Sequence, residues 1–148
     1  MDQKEVNLKA FLKLIRYAEH KREDNEVYTI MYGGGTFKDT STHPNTLVRK
    51  WGKSSTAAGA YQILYGSWAE AKKLGIVNDF SPDAQDRFAI WKLKTRGAYP
   101  FVLEGDVEKA VEKLRKEWTS LPGASQSSFV MSDAKARFQR YVTEYSKP

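Results

Sequence analysis

Lys9-Ala10-Phe11-Leu12-Lys13-Leu14-Ile15-Arg16-Tyr17-Ala18-Glu19-His20 ends an apolar helix stripe on a carboxylate. Counting back from Glu19, Ile15 stands at i−4, Leu12 at i−7 and Phe11 at i−8, so the acid shares a face with side chains that a core would claim. The spacing predicts a helix over residues 6–21. Burial on that face disfavours the charged carboxylate, and the partial negative charge at the end of a helix disfavours it again. Both effects raise the pKa. A carboxyl group kept protonated near neutral pH is a general acid, able to protonate a leaving oxygen. A glutamate at the margin of a stripe can instead simply reach water, so the rest of the chain has to decide.

A chain of 148 residues fits one domain, 1–148, with a core that needs no staples. The absence of cysteine excludes disulfides, thiol nucleophiles and cysteine-based metal sites. His20 and His43 are the only imidazoles, at a spacing that fits no short metal motif and gives a Ser-His-Asp triad little to build on. No metal and no cofactor is therefore expected, and acid–base work falls to carboxylates. The net charge of +6 draws the chain to polyanions. Its lysines and arginines alternate with acids, as in Glu108-Lys109 and Glu112-Lys113, like solvated helix faces rather than a stripe that tracks phosphates, so nucleic acid is not expected as a partner. The charged start Met1-Asp2-Gln3-Lys4-Glu5 has no signal-peptide apolar run, and no segment has the length of a membrane span. These features predict a soluble chain made in the cytoplasm.

Working outward from the first helix, Val27-Tyr28-Thr29-Ile30-Met31-Tyr32 is rich in β-branched and aromatic residues and stops at Gly33-Gly34-Gly35 before Thr36-Phe37. That pattern predicts a hairpin. Pro44 suits the first turn of a short helix over residues 44–50, and residues 51–60 are expected as loop. A helix is predicted over 61–74, closed by Gly75, and another begins at Ser81-Pro82, carries Phe88 and Trp91, and ends at Gly97. Asp106 caps an amphipathic helix with Val107, Ala110, Val111, Leu114 and Trp118 on one face. After a Gly- and Ser-rich loop at 123–128, a last helix carries Phe138, Tyr141, Val142 and Tyr145. Helices dominate, with one small hairpin: a mostly helical α+β fold.

A second candidate segment is Ser54-Ser55-Thr56-Ala57-Ala58-Gly59-Ala60, whose small side chains let a polymer approach the backbone closely. Just after it, Gln62 can donate and accept at once toward a sugar hydroxyl or acetamido group, and Tyr61 can stack on a ring. Tyr61-Gln62 is expected to open a helix whose free N–H groups face the ligand.

Lys9-Ala10-Phe11-Leu12 with Glu19, the Gly33-Gly34 turn, Phe37, Asp39, Ser41 and His43-Pro44 stand in order along the chain. They are followed by Ser55-Thr56, Ala58-Gly59, Tyr61-Gln62, Phe80-Ser81-Pro82, Gln85-Asp86, Arg96-Gly97-Ala98, Pro100, and Trp118 with Ser120-Leu121-Pro122-Gly123-Ala124. In this collinear set the chain resembles the bacteriophage lambda endolysin family of phage lytic transglycosylases. Gly59-Ala60-Tyr61-Gln62-Ile63 is also similar to the Gly-x-x-Gln signature of wider transglycosylase and goose-type lysozyme families.

The resemblance implies a lysozyme-like fold, a helical lobe and a smaller hairpin lobe with a cleft between them, and one catalytic glutamate at Glu19. Substrate contacts then fall on Tyr28, Ser55, Thr56, Tyr61 and Gln62. The implied reaction cleaves the MurNAc-GlcNAc β-1,4 bond of peptidoglycan glycan strands to 1,6-anhydro ends, with Glu19 as acid and then base. The implied setting is a monomer without stable membrane association, made in the host cytoplasm and released through a holin pore to the wall in the periplasm. The chain departs from the family pattern at His20-Lys21, where glycine and threonine are usual, and at Thr29, where the lambda protein has an acid. A hydrolytic muramidase, using Asp39 or Asp24 as second carboxylate, is the alternative enzyme. A basic, aromatic-rich module that binds glycan or nucleic acid without cutting it is the non-enzymatic one.

Overall fold

The structure, a computed structural model, describes residues 1–124 and 127–148. Part of the predicted loop at 123–128 thus lies outside the described residues. The chain divides into two compact units, residues 1–21 with 92–148, and residues 22–91.

In the first unit, α1 (Gln3–His20) starts where the Asp2 carboxylate accepts the Glu5 N–H at 2.9 Å, three residues earlier than its apolar pattern suggests. Val6, Ala10, Phe11, Leu14, Ile15 and Ala18 are buried along it. α1 packs against α4 (Tyr99–Glu104) and α6 (Met131–Ser146), with the Phe11 and Phe138 rings edge to face at 6.5 Å. Buried Asn7 ties the α1–α4 contact by donating to the Leu103 carbonyl at 2.8 Å. α5 (Val107–Leu114) buries Val107, Ala110, Val111 and Leu114, the face its spacing predicts, and its cap Asp106 accepts the Lys109 N–H at 3.2 Å. Trp118 is buried just beyond the helix. Each such valine or leucine contributes about 1.5–3 kcal/mol by leaving water.

The second unit departs most from the sequence-based expectation. Residues 25–29 form a 3-10 helix, and the predicted hairpin contracts to a single bridge, Ile30 to Thr36, across the glycine turn. The two-stranded antiparallel sheet lies instead at β1 (Val48–Lys50) and β2 (Lys53–Ser55), where a short helix and a loop were expected. Its Trp51-Gly52 turn has φ of 55° and 72°, both in the left-handed region that suits a tight hairpin.

α2 (Tyr65–Lys73) begins four residues later than predicted, because residues 58–63 close a turn of their own. Ala58 and Ile63 exchange two backbone hydrogen bonds at 2.8 and 3.1 Å, and Gln62 is left-handed at φ 49°. α3 (Pro82–Thr95) starts as read, with Ser81 Oγ accepting the Ala84 N–H at 3.2 Å. His43 is buried among Tyr65, Trp68 and Phe80. Its Nδ1 accepts the Asn45 N–H at 2.9 Å, which leaves Nε2 to donate to the Ile63 carbonyl at 2.7 Å. Burial lowers its pKa, so it is a neutral structural histidine.

Candidate active site

Glu19 sits in the last turn of α1, which ends when Lys21 turns left-handed (φ 55°) and its N–H caps the Tyr17 carbonyl at 2.7 Å. The expected stripe is real: Phe11, Leu12 and Ile15 below the acid are all buried. Burial raises the Glu19 carboxyl from 4.5 to about 7, against the opposing pull of a Ser120 hydrogen bond and of the nearby Lys21 cation. Burial in turn lowers Lys21 from its ordinary value, while Glu19 holds it up. Lys21 Nζ donates to the Ala18 carbonyl at 2.9 Å and lies 4.9 Å from the Phe129 ring centroid. The Arg137 guanidinium covers the Tyr17 ring at 3.6 Å. A carboxyl whose pKa is pushed up to about 7 thus stands at the end of α1, beside a hydroxyl and a cation that oppose the shift.

Sequence reasoning assigned no role to Ser120, whose hydroxyl donates to Glu19 Oε2. The only signal was its place in the Ser120-Leu121-Pro122 run; nothing in a linear pattern brings it to a residue 101 positions away.

In the second unit the predicted contact residues are largely occupied. Tyr61 is fully buried, its ring edge against Tyr28 at 6.4 Å, and both hydroxyls donate to Asp86 Oδ1, at 2.5 Å from Tyr61 and 2.8 Å from Tyr28. The expectation that Tyr61 stacks on a sugar ring is therefore corrected: no ring face is exposed. Nor does Tyr61-Gln62 open a helix; both lie in the turn before α2. Gln62 Nε2 donates to the carbonyls of Ile30 (3.2 Å) and Gly59 (3.0 Å), so its donor side locks the turn and only its carbonyl oxygen is left to accept. Ser55 Oγ accepts the Ala57 N–H at 3.0 Å, and Thr56 Oγ1 accepts the Tyr65 N–H at 3.1 Å at the start of α2.

Beneath this turn Gln85, also missed from sequence as a side chain with a task, accepts the Ala60 N–H at 2.8 Å. It donates to the carbonyls of Tyr28 at 3.0 Å and Phe80 at 2.9 Å. Gly59 is obligatory there: at φ 82° an added Cβ would meet Gln85 Oε1 at 2.2 Å.

The two alternative second carboxylates are bound to their own surroundings. Asp39 accepts from the Ser41 hydroxyl (2.6 Å) and N–H (2.9 Å), which hold it below the ordinary range. Asp24 takes two hydrogen bonds from Arg22 at 2.9 and 3.0 Å and caps the 3-10 helix through the Glu26 N–H; Arg22 holds it low. Among the described residues no three or more histidine, aspartate or glutamate side chains converge on a metal position, and no helix is long and apolar enough to cross a membrane.

A glutamate with a raised pKa at the end of a helix, in a mostly helical fold with one small sheet, suits a lysozyme-like protein, and the comparisons agree on the fold. The structure is similar to bacteriophage lambda lysozyme solved in complex with a chitohexasaccharide, with a TM-score of 0.81 at 35% identity and 95% of each chain covered. A second structure of lysozyme from bacteriophage lambda matches with a TM-score of 0.80 at 32% identity, again over 95% of each chain. In sequence, the endolysin of Escherichia phage lambda is 40% identical over 128 residues, 82% of this chain and 80% of the relative. That of Escherichia phage P2 is 35% identical over 133 residues, 80% and 81% of the two. The profile of the Endolysin family matches residues 9–147, and the chain belongs to that family.

Proposed function

We propose that the chain degrades peptidoglycan as a lytic transglycosylase. The observation that carries the proposal is Glu19, a carboxyl raised to about 7 at the end of α1 while Asp24 and Asp39 are committed elsewhere. Hydrolytic glycosidases usually divide the work between two carboxylates. Transglycosylation uses one.

Glu19 gives its proton to the glycosidic oxygen as the MurNAc C1–O bond breaks, and the GlcNAc leaves with a C4 hydroxyl. The neighbouring N-acetyl group stabilises the positive charge at C1. The Glu19 carboxylate then takes the proton of the MurNAc C6 hydroxyl, whose oxygen closes on C1. The ring closes to the 1,6-anhydro product, the acid is restored, and no water is consumed. A pKa near the working pH serves both steps.

Ser55, Thr56 and the Gln62 carbonyl oxygen are proposed to meet the glycan strand. Tyr28 and Tyr61 support that segment through Asp86 rather than touching sugar. A monomer acting on the wall after release through a holin pore, with neither membrane nor nucleic acid as stable partner, completes the reading.

Digestion of purified peptidoglycan followed by mass analysis of the glycan ends tests it. The expected MurNAc ends are anhydro, one water lighter than reducing ends. Reducing ends would establish the muramidase, and binding without cleavage would establish the non-catalytic module.

A further inference from the structure

We infer that Ser120 is a positioning residue for the reaction: its hydroxyl holds one oxygen of Glu19, so that the other carries the proton to the glycosidic bond. The inference rests on Glu19 being the acid, and holds for transglycosylation or hydrolysis alike.

The geometry is local to the first unit. Ser120 Oγ donates to Glu19 Oε2. A hydroxyl has one hydrogen, and committing it to Oε2 leaves the acidic proton to Oε1 and fixes the plane of the carboxyl. Ser120 is itself held, because Ser127 Oγ donates to the Ser120 carbonyl at 2.8 Å while accepting the Phe129 N–H at 3.0 Å. Phe129 in turn packs edge to face on Tyr17, two residues before Glu19, at 5.5 Å. Ser120 and Phe129 are therefore both tied to the turn of α1 that presents the acid.

The same hydrogen bond persists when Glu19 has lost its proton, and is then charge-assisted and stronger. It therefore favours the carboxylate and eases the first step, in which Glu19 gives its proton to the glycosidic oxygen. Among the described residues the charged groups that act here are Lys21, the residue just past the end of α1, which also favours the carboxylate, and Arg137 of α6, which acts on Lys21. Ser120 opposes burial by a hydrogen bond rather than by charge, an effect that salt will not screen.

The test is the pH dependence of kcat and KM on solubilised peptidoglycan fragments for the wild type, Ser120→Ala, Ser120→Cys and Ser120→Thr. Removing a donor to a charged group should move the falling alkaline limb of Ser120→Ala up by about one pH unit and lower kcat about tenfold, with KM little changed. Ser120→Cys keeps the volume with a weak donor and should shift the limb the same way by less. Ser120→Thr restores the hydroxyl and both values. Repeating the profile in a His20→Gln background assigns the limb to the carboxyl rather than to the adjacent imidazole. An unmoved limb in both the alanine and cysteine variants, or a rise in KM alone, would overturn the inference while Glu19→Gln remained inactive. Activity in Glu19→Gln would instead bring down the reading on which it rests.

Discussion

Asp86 and Glu19 both accept hydrogen bonds from hydroxyl groups of side chains distant in sequence, and they are put to opposite uses. Asp86 takes both the Tyr28 and Tyr61 hydroxyls on one oxygen, above a glutamine that makes three further buried hydrogen bonds. Glu19 takes a single serine hydroxyl and is otherwise surrounded by packing that disfavours its charge. The first arrangement fixes a backbone turn; the second leaves a proton ready to be moved. Chemistry resides where a carboxyl is under-supplied with donors, and structure where it is well supplied.

The sharpest way to break the contrast is Glu19→Gln. It should lower lytic activity by ~10²–10⁴-fold, the range for a lost general acid, while a matched Asp86→Asn variant keeps measurable cleavage. Stability should move the other way. The folded protein holds the Glu19 proton more tightly than the unfolded chain does, so ionisation above 4.5 destabilises the fold progressively until about pH 7. Glutamine does not titrate and still accepts from Ser120. The variant should be more stable than wild type above pH 7 by about 1–3 kcal/mol in urea unfolding, with the difference gone near pH 4.

On the structural side, Gly59→Ala drives a methyl into the Gln85 amide from a left-handed backbone. Unfolding free energy should fall by about 2–4 kcal/mol. A loss below 0.5 kcal/mol would mean that the Gln85 network is looser than its distances imply. The smallest effect is expected of Asp24→Asn and Asp39→Asn, each keeping activity within about twofold, since neither acid is held in a state other than local ionisation. Inactivation of either folded variant would hand the second-acid role back to it and favour hydrolysis.

In the first unit α1, α5 and α6 were legible because one face of each is buried and the period shows it, as with Phe11, Leu12 and Ile15 under Glu19 and Val107 to Leu114 along α5. By contrast α4, six residues long, is too short to show a period and was not expected. The second unit was misread where side-chain networks override local preference. Val27 to Tyr32 has the composition of a strand, yet Asp24 caps a 3-10 helix there, and the sheet forms at the polar stretch 48–55, whose turn residues Trp51-Gly52 carry no hairpin dipeptide. Tyr61 looked like a platform because an aromatic beside a glutamine suits sugar; only its hydroxyl partner, Asp86, 25 residues on, reveals it as a strut. Glu19 was legible as an acid from its helix alone. Ser120 was not, because its partner is 101 residues distant.

The central claim is that Glu19 holds its proton near neutral pH, and a carbon-13 NMR titration of the glutamate carboxyl groups reads it directly, with Glu19→Gln identifying the signal. The account predicts that this one resonance titrates near 7. A midpoint in the ordinary range of about 4.3 would contradict it, since Glu19 would then be an ionised surface acid with no proton to give.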